Sequence, residues 1–119
     1  MVRKREWIGV DFDGTLAHSV DWQGINDGRV GEPLMPMVDR VRDWLESGHN
    51  VRIFTARVGA GSDVAKHTAA IEEFCIEHFG VKLPITAAKD FDMVELWDDR
   101  AVQVEHNSGE PTCFWTTKI

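Results

Sequence analysis

Cysteine is scarce in this chain. Cys75 and Cys113 are the only two, they lie far apart, and they form neither a CxxC pair nor a Cys/His ligand spacing. A disulfide scaffold or a structural zinc centre is therefore not expected, and no two of the five histidines stand at metal-ligand spacing either. No apolar run approaches the length that a bilayer-spanning helix needs. The basic opening Met1-Val2-Arg3-Lys4-Arg5-Glu6 is not followed by the apolar stretch and small-residue cleavage site of a secretory leader. The expectation is a cytoplasmic protein with reduced thiols and no membrane partner. Positive charge is also in short supply, with 13 Lys and Arg against 20 Asp and Glu, a net charge of −7. Non-specific nucleic-acid binding works by matching phosphates with Lys and Arg, so nucleic acid is expected as a partner only through a phosphorylated end. Repeats and low-complexity segments are absent as well.

What remains suits one domain over residues 1–119, long enough for a single core, and 43% hydrophobic with 28% charged residues is ordinary for a globular protein. Trp7-Ile8-Gly9-Val10-Asp11-Phe12 alternates as a strand, with Ile8, Val10 and Phe12 on one face. It runs into the turn signal Asp13-Gly14. Residues 17–33 hold no sustained period and read as a flap. Pro36 suits a first helical turn, and Leu34, Val38, Val41 and Leu45 follow at helical spacing until Gly48. Residues 51–55 read as the next strand and 56–61 as a loop. A second helix, capped by Ser62, places Ile71, Phe74, Cys75 and His78 on one side and stops at Gly80. Leu83 to Thr86 is a short strand candidate containing Pro84, and Met93 to Trp97 is another strand, ending at Asp98-Asp99. Residues 101–104 are ambiguous, and Cys113-Phe114-Trp115 could pair at a sheet edge. This alternation predicts an α/β fold, a three-layer Rossmann-like parallel sheet with helices on both faces. Ligands in such folds collect at the carboxyl ends of strands, and Asp11, Asp13, Thr55, Lys89, Asp98 and Asp99 all read as lying there.

Asp11-Phe12-Asp13-Gly14-Thr15-Leu16 resembles the signature motif of the haloacid dehalogenase (HAD) superfamily. Thr55 is similar to the second motif of that family, Lys89 to the third, and the Asp98-Asp99 pair to the fourth. The resemblance covers residues 7 to about 104 and implies a HAD-like fold. It also implies Mg2+ as cofactor, with Asp11, Asp13, Thr55 and Lys89 catalytic. The metal set would be Asp11, Asp98, Asp99 and, through its backbone carbonyl, Asp13.

The residues suit that chemistry on their own terms. An anionic nucleophile approaches a phosphoryl group only with a cation to offset the charge, and Mg2+ prefers a few carboxylate oxygens. Asp11 would attack phosphorus, and Asp13 would serve as general acid and base. Thr55 would hydrogen-bond a phosphoryl oxygen, and Lys89 would neutralise charge near Asp11. Backbone N–H groups around Asp13 and Gly14 could form an anion nest. Gly14, Thr15, Ala56 and Arg57 are the expected substrate-binding residues, Arg57 either contacting phosphate or tying down its loop. In an extended backbone Asp98 and Asp99 point to opposite sides, so one faces the metal directly; Asp98 is the favoured ligand, with Asp99 behind it or holding the loop, and the family pattern leaves room for either.

The flap leaves no room for the large cap domain common in that superfamily. The implied activity is a phosphomonoester hydrolase working through an aspartyl-phosphate on Asp11. A small phosphorylated metabolite or nucleotide would be the substrate, and a second subunit could cover the open site. Two alternatives stand beside it: a phosphoacceptor signalling domain, and a catalytically inactive binding module of the same fold. Elsewhere, His18 reads as a solvated loop residue and His67 and His78 as surface and packing residues of a helix. Trp22, Trp44 and Trp97 read as packing residues, and Cys75 as buried.

Overall fold

Trp7–Asp11 forms strand β1, buried along its length except at Asp11. A strand buried on both faces belongs inside a sheet. β1 pairs in parallel with β2 (Asn50–Phe54) on one side and with β4 (Met93–Trp97) on the other. The short β3 (Ile85–Thr86) lies beyond β2, so the sheet order is β3-β2-β1-β4, all parallel. The structure is a computed structural model and describes residues 5–113.

The first crossover carries the flap, with the short helix α1 (Trp22–Asn26), and then helix α2 (Met35–Glu46). The second carries a 3-10 turn (Ala56–Val58) and helix α3 (Val64–Phe79). Both crossovers step in the same direction across the sheet, and right-handed connections then place their helices on one face. Met37, Val38 and Val41 of α2 and Ile71, Phe74 and Cys75 of α3 accordingly join Ile8, Val10, Val51 and Ile53 in one apolar cluster. Phe12 meets Phe74 edge-on at 5.1 Å between ring centroids, and Trp44 meets Trp97 at 5.2 Å.

Residues 87–92 form the return connection, which crosses the other face to reach β4. Six extended residues span about 20 Å, enough to pass three strand spacings of about 5 Å each. On that face the Arg52 guanidinium lies 4.5 Å from the Trp7 ring centroid. Trp7 Nε1 donates to Asp90 Oδ1 at 2.9 Å, and Arg52 stands 3.6 Å from Asp90 Oδ2. The outcome is the Rossmann-like α/β fold with an all-parallel sheet that the alternation of elements predicts; α2 and α3 share one face, where helices on both faces are expected, because both crossovers step the same way.

Local details depart from the sequence expectations. Asp63, not Ser62, caps α3, accepting from Lys66 N at 3.2 Å; the Ser62 hydroxyl donates instead to the Ala56 carbonyl. The flap is not wholly irregular, because Asp21 caps α1 by accepting from Gly24 N at 2.7 Å. Its base is closed by His18 N donating to Glu32 O and Leu34 N donating to Leu16 O. Trp22, expected to pack, is 74% exposed at the start of α1. Residues 101–104 form neither helix nor strand beyond a single bridge from Val104 to Pro111. The edge-strand expectation at Phe114 and Trp115 lies outside the described residues. Among those described, no helix is long and apolar enough to cross a membrane.

Candidate metal and phosphate site

β1 delivers Asp11 to the carboxyl edge of the sheet, and the chain then folds back at once. Thr15, Leu16 and Ala17 all donate their N–H groups to the Phe12 carbonyl, and Gly14 N donates to Ala17 O. The expected anion nest at Asp13 and Gly14 is thereby corrected in part: the Gly14 N–H is spent inside the turn. Gly14 has a φ of +88°, a conformation open to glycine at little cost.

Asp98 and Asp99 arrive from the end of β4, next to β1. One carboxylate oxygen from each of Asp11, Asp98 and Asp99 lies within 4.8 Å of the others. Both Asp98 and Asp99 reach the cluster because the pair follows Trp97 into a turn, where strand alternation no longer applies. Thr15 ties the two strand ends together across 84 positions. Its hydroxyl lies 3.2 Å from Asp11 Oδ2 and 3.3 Å from Asp99 Oδ1, and accepts from Asp99 N at 3.1 Å. Thr15, expected to bind substrate, is thus a clamp on the cluster. Asp98 Oδ1 accepts from Arg100 N at 2.8 Å.

Close approach of Asp99 depends on the missing side chain at Gly14. A Cβ there would stand 2.6 Å from Asp99 Oδ2, well inside contact distance. Gly14→Ala is therefore expected to push Asp99 out of the cluster and strain the turn, weakening divalent-cation binding at least about tenfold. Isothermal titration calorimetry of wild type and variant measures it; equal affinities would show that Asp99 contributes no ligand.

Three carboxylates this close repel one another. Burial, a hydrogen bond shared with Asp99 and the charge of Asp98 push the Asp11 carboxyl from 3.8 up to about 7, and the Thr15 hydroxyl pulls it back. A hard divalent cation relieves that repulsion, and an all-oxygen donor set without His or Cys fits magnesium-like ions and not zinc. A carboxyl raised in the folded state stabilises the fold below its unfolded value near 3.8, and this contribution is lost as pH climbs through about 7. Without cation, the Asp11 contribution to the melting temperature should fall over that window. Added Mg2+ should raise the melting temperature more at about pH 8 than at about pH 5.5, where protons compete for Asp11. Thermal melts with and without Mg2+ at both values test it.

Asp13 faces the other way. Both its oxygens accept from Arg57, from Nε at 2.8 Å and from Nη2 at 2.7 Å. The Arg57 side chain is only 2% exposed, against 21% for Asp13, and its guanidinium lies 5.6 Å from the Phe12 ring centroid. This corrects the expected substrate contact of Arg57: a buried guanidinium already paired in bidentate fashion positions Asp13 and does not reach out to a ligand. Any contribution of Asp13 to a cation comes through its main chain, since its carboxylate stands apart from the acidic cluster. Thr55 is buried at the end of β2. Its oxygen accepts from Arg57 N at 3.2 Å, which leaves the hydroxyl hydrogen free to donate. Ala56, exposed beside it, opens the 3-10 turn.

Lys89 lies three residues beyond the end of β3. It is exposed on the return connection, next to Asp90, whose carboxylate meets Trp7 and Arg52 on the other face of the sheet. The groups that dominate the shift of Asp11 are Asp99, Asp98 and Thr15, and Lys89 is not among them. Conversely, His67 was read as a surface residue and is only 6% exposed. Its signal was legible: His67 stands four residues before Ile71, on the apolar stripe of α3.

No protein-family model matches the chain, and no curated protein matches it. Among solved structures, the chain is similar to one described as the conserved protein coded by locus from Bacteroides thetaiotaomicron, at 22% identity and a TM-score of 0.58. The match covers 81% of this chain and 77% of that one. Likeness at this identity supports the fold, a four-stranded parallel α/β sheet of Rossmann type.

Proposed function

We propose that this protein is a divalent-cation-dependent phosphomonoester hydrolase of the HAD type, using Mg2+ and acting on a small phosphorylated metabolite or nucleotide. The observation that carries the reading is the meeting of Asp11, Asp98 and Asp99 from two adjacent strand ends, with one oxygen each within 4.8 Å. Thr15 holds the cluster together, its hydroxyl 3.2 Å from Asp11 Oδ2 and 3.3 Å from Asp99 Oδ1. A bound cation would supply Lewis-acid charge stabilisation at the phosphoryl oxygens.

The remaining chemistry belongs to the chain. One Asp11 oxygen attacks phosphorus as the bond from phosphorus to the leaving oxygen breaks, giving an aspartyl-phosphate. Asp13 delivers a proton to that leaving oxygen, then takes one from the water that attacks the aspartyl-phosphate. Phosphate departs and the Asp11 carboxylate is restored. To transfer a proton Asp13 must release one of its two Arg57 bonds, so the pair is a holder that yields at each half-reaction. The Thr55 hydroxyl donates to a phosphoryl oxygen. Among the described residues no large cap domain is inserted, so substrate enters from solvent beside the flap.

The test is steady-state phosphate release from an aryl phosphate and a panel of phosphate esters, with Mg2+ and with EDTA. Turnover that requires Mg2+ is the expected result, and rates unchanged in EDTA would sink the reading. A phosphorylated protein that accumulates without turnover would mark a phosphoacceptor domain instead.

A further inference from the structure

Two polar atoms in this region are buried without a hydrogen-bond partner: Nη1 of Arg57 and Nδ1 of His67. They belong to elements in contact, since α3 packs on the 3-10 turn that carries Arg57. Burial first, and then the positive charge of Arg57, hold the His67 imidazole below its ordinary value; Lys66 adds to this, while Asp63 and Asp13 oppose it. Arg57 has only donors to offer, and a neutral imidazole presents one nitrogen as an acceptor. A buried donor and a buried acceptor left unpaired each carry the full penalty of lost hydration. Two such atoms on neighbouring side chains share one remedy. A water between them would accept from Nη1 and donate to Nδ1, and enclosed waters occur at sites of this kind.

We infer that His67 is a positioning residue for Asp13: its Nδ1, through one enclosed water, holds Nη1 of Arg57 and so fixes the guanidinium that grips both Asp13 oxygens. The role rests on the proposed phosphatase reading. Asp13 must drop one Arg57 bond to move a proton, and a guanidinium bound only to Asp13 would follow the carboxylate as it moves. Anchored from behind by His67, Arg57 stays in place and Asp13 returns to the same position for the second half-reaction. His67 touches neither substrate nor cation in this scheme.

The experiment compares His67→Leu, which has no acceptor, with His67→Asn, which offers an oxygen near the place of Nδ1. The readout is kcat/KM on an alkyl phosphate and on 4-nitrophenyl phosphate. The alkyl leaving group needs its proton and the nitrophenolate barely does, so damage to general-acid positioning appears selectively on the alkyl ester. His67→Leu should lose about tenfold or more on the alkyl ester and less than about twofold on the aryl ester. His67→Asn should recover most of the loss. Equal losses on both esters, or no loss on either, would overturn the role.

A second measurement does not need activity. Nitrogen-15 NMR of the wild type should show His67 neutral at about pH 7, with hydrogen on Nε2 and Nδ1 accepting. The Nη1 protons of Arg57 should exchange faster in His67→Leu and remain slow in His67→Asn. A protonated His67, or hydrogen on Nδ1, overturns the inference even if no phosphatase activity is found. If the expected NMR pattern is found without turnover, the phosphatase reading fails and the hydrogen-bonded link stands. Should His67→Leu not fold, the wild-type tautomer still decides.

Discussion

Asp11→Asn is expected to reduce phosphate release by about 10⁴-fold or more while melting at or above the wild-type temperature in the absence of cation. The two effects have one origin. Asn keeps the shape of the side chain and one oxygen to offer a cation, but its amide is no nucleophile toward phosphorus. It also removes a carboxylate from a cluster in which burial first, and then Asp99 and Asp98, raise Asp11 to about 7. A group that weakens the fold in its charged form is kept where chemistry requires that form. Initial rates together with cation-free thermal melts at about pH 8 check both halves. Normal turnover would remove Asp11 as nucleophile, and a large fall in melting temperature would contradict the crowding argument.

Replacing Arg57 with Met should lower stability by about 3–5 kcal/mol, the usual cost of breaking one side of a buried ion pair. The guanidinium is almost wholly enclosed and Asp13 is only partly exposed, so the stranded carboxylate recovers little hydration. Activity should fall with it, since both bonds that orient Asp13 come from Arg57. The double variant Arg57→Met/Asp13→Leu separates the causes. An apolar replacement of the whole pair is close to neutral, so the double variant should regain much of the lost stability and none of the activity. Urea unfolding of the wild type, two single variants and the double variant gives the coupling directly. Additive losses would mean that the pair contributes nothing as a pair.

Much of the architecture was legible because the signals were local. The alternation at Trp7 to Phe12, Pro36 at the start of α2 and the glycines Gly48 and Gly80 after the helices each act within a few residues. Asp11 and the Asp98-Asp99 pair were readable for the same reason: each follows an apolar strand, and parallel strands deliver such ends to one edge. The Ser62 cap was displaced by one residue because Ser62 had another partner, the Ala56 carbonyl, within reach.

The pairing of Asp13 with Arg57 spans 44 positions, and no local pattern announces it. A bidentate ion pair forms only when two distant side chains are brought to hydrogen-bond distance and shielded from water, and that shielding comes from Phe12 and the packing of α3. The burial of His67 and the partnership of Thr15 with Asp99 arise in the same way. Sequence alone determined which residues form strands and helices and which acidic groups lie at strand ends, because periodicity and turn chemistry are short-range. Tertiary structure alone decided which carboxylates crowd together and which is neutralised by a buried arginine. Those outcomes depend on distance and desolvation, and both exist only once the chain has closed on itself.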